Sequence, residues 1–133
     1  MMPDSDLLAF CDSEVSNIET RAGHIVVRIS AGHVHRSGGL PGADDRAGFL
    51  QALELTCFQP SAIHQEAGCV GNLSSGVLRV GGAMLRLVPV PFESACSVEL
   101  ELVFSNGSVC RVTCLGVTLK PAGEARFVEW LKC

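Results

Sequence analysis

The chain has 133 residues, of which 47% are hydrophobic and 18% charged, and its formal charge is −4. That length suits one domain burying roughly two-thirds of the surface its unfolded chain exposes, and the composition excludes a disordered chain. No Lys/Arg cluster exceeds two residues and no aromatics interleave with the basic ones, which argues against nucleic-acid binding, because neutralising phosphates needs concentrated positive charge.

The opening stretch MMPDSDLLAFCDSEV is acidic. It lacks the basic segment and apolar run of a signal peptide, and no apolar run in the chain nears the ~20 residues of a membrane helix. The expectation is a cytoplasmic protein without membrane contact. Asp4, Asp6, Asp12, Glu14 and Glu19 gather here, with Arg21 as the nearby cation.

Strands are expected over Val15 to Thr20 and His24 to Ser30, around Arg21-Ala22-Gly23, with Ile25, Val27 and Ile29 on one face. Gly32 suggests a bulge or bend, after which residues 33 to 36 continue or re-pair the strand. Residues 37 to 48, SGGLPGADDRAG, have the composition of a loop. Phe49 to Phe58 alternates with Leu53, Leu55 and Cys57 inward and Glu54 and Thr56 outward. Residues 59 to 75 show no pattern and are expected to be mostly irregular. Val77 to Val80 and Ala83 to Val90 follow as strands broken at Gly81-Gly82. Pro89 and Pro91 cannot donate ladder hydrogen bonds and mark an edge or a sheet exit.

Residues 97 to 119 carry the clearest signal. Val98, Leu100, Leu102 and Phe104 form one apolar stripe, and Cys110, Val112 and Cys114 answer it. Asn106-Gly107 invites a two-residue hairpin, but that register opposes Leu102 to Arg111. A three-residue loop, Ser105-Asn106-Gly107 with Gly107 left-handed, pairs Leu102 with Cys110, Leu100 with Val112 and Glu101 with Arg111. One residue of slip inverts a whole face, so burial favours the longer loop. The terminal PAGEARFVEWLKC reads as a strand or a short helix, and the strand fits better behind a long hairpin. The fold class is mainly β: a single-domain antiparallel barrel or sandwich of about 7–9 strands.

Seven cysteines, an odd number with no CxxC, are expected as small buried hydrophobes in a reducing compartment. Cys133 is expected to be exposed. Cys110 and Cys114 lie about 13 Å apart along one strand, too far to bridge or share an ion. No GxSxG, Walker or GxGxxG element is present.

His33 and His35 share one strand face about 6.6–7 Å apart in Cα terms. Cupin metal sites use such a pair with a following carboxylate. Here Arg36-Ser37-Gly38-Gly39-Leu40 supplies none, Asp44 and Asp45 come late, and His64 stands in an unpatterned stretch. Zinc needs three or four protein ligands, so two strand histidines without a metal or other cofactor is the expectation.

The stretch DLLAFCDSEVSNIETRAGHIVVRIS followed by AGHVHRS resembles small bacterial immunity proteins of polymorphic-toxin and contact-dependent growth inhibition systems, which often begin with an Asp-Ser-x-Val/Ile stretch leading into a β-meander. The resemblance implies a stand-alone cytoplasmic protein that binds and blocks a cognate toxin domain, often a basic nuclease. It transfers no binding residues. Charge and loop position instead nominate Asp44, Asp45, Arg46, His33, His35, Asp12 and Glu14 as partner-binding. The reading is a non-enzymatic binding protein. The alternative is a small cupin-like β-barrel holding a small molecule or metal. A third reading, an assembly subunit, rests on an exposed apolar edge expected near Val88 to Phe92.

Overall fold

The computed structural model describes residues 6–37 and 46–131, with side chains for 6–36 and 48–126. Twelve strands occupy them: β1 (Asp6–Arg21), β2 (His24–Ser37), β3 (Arg46–Phe58), β4 (Ala62–Gln65), β5 (Gly71–Val80), β6 (Ala83–Leu85), β7 (Leu87–Val90), β8 (Phe92–Ser94), β9 (Val98–Phe104), β10 (Val109–Cys114), β11 (Gly116–Pro121) and β12 (Arg126–Leu131). The described residues contain no helix, so none long and apolar enough to cross a membrane.

The strands follow the path β4-β10-β9-β5-β1-β2-β3-β11-β8, with β6 beside β5, β7 beside β1 and β12 beside β3. The two ends of the path, β4 and β8, do not pair, so the sheet does not close into a barrel. It forms two layers. The first holds β7, β1, β2, β3, β11, β8 and β12; the second holds β4, β10, β9, β5 and β6. A short junction, Glu14↔Asn72 and Val15↔Gly71, joins them.

Alternation builds the interior. Ile25, Val27 and Ile29 of β2 and Leu53, Leu55 and Cys57 of β3 face Leu73, Leu100, Leu102, Cys110, Val112 and Cys114 of the second layer in one cluster. The β9–β10 hairpin has the three-residue loop that burial requires: Leu102↔Cys110, Leu100↔Val112 and Glu101↔Arg111 pair, and Gly107 sits at φ 92. Arg111 Nε donates to Glu101 Oε2 at 2.7 Å on the wet face. The β1–β2 turn is Ala22-Gly23, with φ 49 and 82, the geometry of a type I′ hairpin.

Several expectations are corrected. The strand number is twelve rather than seven to nine because β4 and β8 were not expected and because Ala83 to Val90 divides at Arg86: β6 stays in the second layer against β5, while β7 crosses to β1. Residues 59 to 75 are not mostly irregular. β4 pairs along β10 and β5 begins at Gly71. Every β4 side chain is exposed, so no apolar alternation announces the strand. Residues 46 to 48, expected in a loop, open β3, and residues 38–45 lie outside the described residues. The apolar edge expected near Val88 to Phe92 is interrupted rather than continuous: Val88 is fully buried and Val90 and Phe92 are half-buried, while Leu87 and Pro89 are exposed. The terminal segment is a strand, β12, along the first half of β3. Arg21 is not the sole partner of the early acids: Arg36 grips Asp6 through two hydrogen bonds, and Arg28 bridges Glu19 and Glu54.

Cys57, Cys69, Cys110 and Cys114 are buried, as expected of core thiols, whereas Cys11 and Cys96 are exposed. Cys133 lies outside the described residues. Burial pushes Cys110 up to about 11 and raises Cys69, and a hydrogen bond to Cys114 together with burial raises Cys57. A thiol that stays neutral in the fold but ionises near 9 when unfolded gives stability that is complete below pH 9 and is lost as pH climbs through the folded value. For Cys110 the loss spans pH 9 to 11 and amounts to about 3 kcal/mol. Urea unfolding at pH 8 and pH 11 is expected to show that fall, and Cys110→Ala is expected to reduce it.

Candidate functional site

The N-terminal half of the first layer holds the nominated residues that the structure describes. In β2, His33 and His35 turn to the outer face while Val34 between them is fully buried, because successive strand residues alternate. The imidazoles meet edge to face with centroids 4.9 Å apart. Directly paired residues share a face, so the register places two cross-strand rows outside. One runs Pro89, Leu7, His35, Gly48; the other runs Leu87, Ala9, His33, Leu50, Arg126. The result is a partly exposed apolar patch with two imidazoles at its centre and Arg126 at one side. Leu87 is 39% exposed.

Arg36 belongs to the opposite face. Its guanidinium lies 4.3 Å from the Phe49 ring centroid and pairs with Asp6, so it closes that end of the core. His64 sits in β4 of the second layer, opposite Arg111. Among the described residues, no three His, Cys, Asp or Glu side chains are grouped to hold a metal ion.

Beside this patch, β1 departs from regular pairing. Ala9 pairs with His33 and Glu14 with Ala31, so four β1 residues, Phe10 to Ser13, stand against the single residue Gly32. Two features hold the bulge. Ser13, fully buried, donates from Oγ to the Ala9 carbonyl at 2.6 Å and accepts the His33 N–H at 2.9 Å. Gly32 packs closely opposite: a Cβ there would meet Leu53 Cδ1 at 2.8 Å and both the Gln51 carbonyl oxygen and Leu8 Cδ1 at 3.1 Å, so a side chain would have to displace two leucine ends and crowd a strand carbonyl. The bulge carries Asp12 outward at φ 68, a left-handed conformation that Asp tolerates better than most residues. Glu14 follows, exposed, and accepts a hydrogen bond from the Ser30 hydroxyl at 2.9 Å.

The structure thus brings His33, His35, Asp12 and Glu14 into one neighbourhood. Asp44 and Asp45 lie outside the described residues; Arg46 opens β3 opposite Ser37, and its side chain lies outside them as well. Sequence reasoning missed Leu7, Leu50, Leu87 and Arg126, which join the patch only through pairing register. It also missed the role of Ser13, because FCDS contains no Gly or Pro to signal a break. Compared with known proteins, the chain matches no family model, no curated protein and no solved structure.

Proposed function

We propose that this chain is a non-enzymatic binding protein of the immunity type, which neutralises a cognate bacterial toxin domain by laying the outer face of β1, β2 and β3 over it. The observation that carries the reading is the β1 bulge: four residues set against one of β2, pinned from inside by Ser13, present an acidic residue in a left-handed conformation beside the His33–His35 patch. Bulges re-aim side chains next to functional sites, and a non-glycine residue held at positive φ is a reason to ask what it serves. The patch sets two imidazoles among apolar side chains with charged residues beside them, the mix of apolar core and polar rim that partner-binding surfaces show. Asp12, Glu14 and the chain's net charge of −4 suit a basic partner such as a nuclease domain.

The test uses Asp12→Asn with Glu14→Gln, which removes charge while Asn still tolerates the left-handed backbone. Both positions are exposed, so stability is expected to stay within about 0.5 kcal/mol of the parent. Association with the toxin domain encoded beside this chain is expected to slow about tenfold at low salt, with a weaker salt dependence than the parent shows. Co-expression that yields neither a complex nor protection from the toxin sinks the proposal. A stoichiometric metal that disappears with His33→Ala and His35→Ala would replace it with the cupin-like reading.

A further inference from the structure

The ladder geometry of the second layer leaves the β4 edge open. Backbone groups of successive strand residues point to opposite neighbours. Phe104 N–H donates to the Ser108 carbonyl at 2.9 Å, in the register that pairs Cys110 with Leu102 and Val112 with Leu100. Cys110, Val112 and Cys114 therefore bond toward β9, and Val109, Arg111 and Thr113 turn toward β4. Glu66 N–H donates to the Val109 carbonyl at 3.1 Å, in the register that pairs His64 with Arg111 and Ala62 with Thr113. The N–H and C=O groups of Ala62 and His64 thus face β10, and those of Ile63 and Gln65 point away from the sheet. β4 ends the strand path, so among the described residues no strand meets them.

Side chains do not shield this edge. Ala62, Ile63, His64 and Gln65 are all exposed. Ile63 shares the inward face with Val112 yet is 51% exposed, so the first layer leaves it uncovered. Edge strands are commonly blunted by proline, lysine, a bulge or extreme shortness. β7 carries Pro89, and β6 and β8 have three residues each. β4 has four residues, no Pro or Lys, and pairs along β10 without a register shift.

We propose that β4 pairs with β4 of a second copy of this chain about a two-fold axis, joining the second layers of both into one sheet. The strand is complementary to itself. With His64 opposite His64 of the second copy, Ile63 and Gln65 exchange all their outward backbone bonds with Gln65 and Ile63 of that copy. Any other antiparallel register leaves some of these groups without a partner inside β4. Ala62 to Gln65 contains no Asp, Glu, Lys or Arg, so two chains of net charge −4 meet along a seam that holds no formal charge. An edge shaped for a charged foreign peptide would carry the opposite charge. Pairing also covers part of Ile63. Each copy uses its β4 edge, so the contact is isologous and stops at the dimer. A seam of four-residue strands is small, and the dimer is accordingly weak, in the micromolar to millimolar range. β4 lies in the other layer from the face proposed to bind the toxin, and the inference does not depend on that reading.

The test combines sedimentation equilibrium with hydrogen exchange on the full chain, dilute and concentrated, in a reductant that keeps the exposed Cys11 and Cys96 from cross-linking. A monomer–dimer equilibrium is expected. The Ile63 and Gln65 amides are expected to exchange several-fold more slowly in the concentrated sample, while the His64 amide, bonded to β10, is protected in both. Ile63→Pro removes an outward N–H and spares the β4–β10 ladder, because edge strands accept proline where the N–H faces solvent. It is expected to stay monomeric at every concentration. Ile63→Lys, which brings two lysines to the seam, is expected to do the same and decides if the proline variant does not fold. A parent chain that stays monomeric overturns the proposal, as does a dimer that survives Ile63→Lys. Ile63 and Gln65 amides equally protected at all concentrations overturn it too, since the chain itself would then cover the edge.

Discussion

Phe10→Ala is expected to lower the unfolding free energy by about 3–5 kcal/mol and Gly76→Ala by about 1–3 kcal/mol, and the two together by less than their sum. The reason lies where the two layers join. Continuing the Glu14↔Asn72 register four residues in each direction brings Phe10 toward Gly76. β1 bulges at that level, and the Phe10 ring, 1% exposed, fills the space beside β5. A Cβ on Gly76 would fall 2.7 Å from both Cβ and Cγ of Phe10. The Phe10 Cβ is tied to the backbone and cannot swing aside, so alanine at 76 must displace a strand or push the ring from its rotamer. Phe10→Ala alone instead leaves a ring-sized void in the cluster. In the double variant the methyl at 76 has no ring to strike and fills part of the void. A double-mutant cycle by urea unfolding is expected to give a coupling of about 1–2 kcal/mol in the compensating direction. Additivity within about 0.3 kcal/mol would show that the two side chains do not share this space.

The same junction shows what the sequence can and cannot announce. The β9–β10 hairpin was legible to the register because both strands alternate strictly and burial admits one loop length. The β2 and β3 inward faces were legible for the same reason. Gly76 carries no strand signal, because a glycine after Ser74-Ser75 has no side chain to join a pattern, yet β5 passes straight through it. Its purpose is the Phe10 ring, which comes from a strand 66 positions earlier in the chain. β4 carries four exposed side chains and is a strand only because β10 offers it an edge. The ion pairs Asp6–Arg36 and Arg28–Glu54 span 30 and 26 residues, and no local rule matches them. Of the candidate site, His33 and His35 on one face were legible from period two alone. Their apolar neighbours on β1, β3 and β7 depend on a register shifted in both β1 and β2; Gly32 announced the irregularity in β2, but the β1 bulge, without Gly or Pro, left little trace in composition.

Ser13→Ala is the change expected to separate the site's scaffold from its chemistry. Ser13 has no accessible surface and occupies both sides of one hydroxyl: it satisfies the Ala9 carbonyl as donor and the His33 N–H as acceptor. Alanine keeps the volume nearly unchanged but leaves a backbone donor and a backbone acceptor unpaired. Each orphaned group costs about 1–3 kcal/mol, and partial relaxation of the four-residue bulge offsets some of that, so a total loss of about 2–3 kcal/mol is expected. Hydrogen exchange provides the local readout: the His33 amide is expected to lose protection by more than the global stability change requires. Partner binding is expected to weaken as well, chiefly through faster dissociation, because Asp12 and the His33 edge of the patch are no longer held in one arrangement. Neutralising Asp12 and Glu14 is expected to do the reverse, slowing association while leaving stability and the His33 amide as they were. If Ser13→Ala loses stability yet binds its partner with unchanged kinetics, the bulge serves the fold alone and the binding face must be sought elsewhere on the molecule.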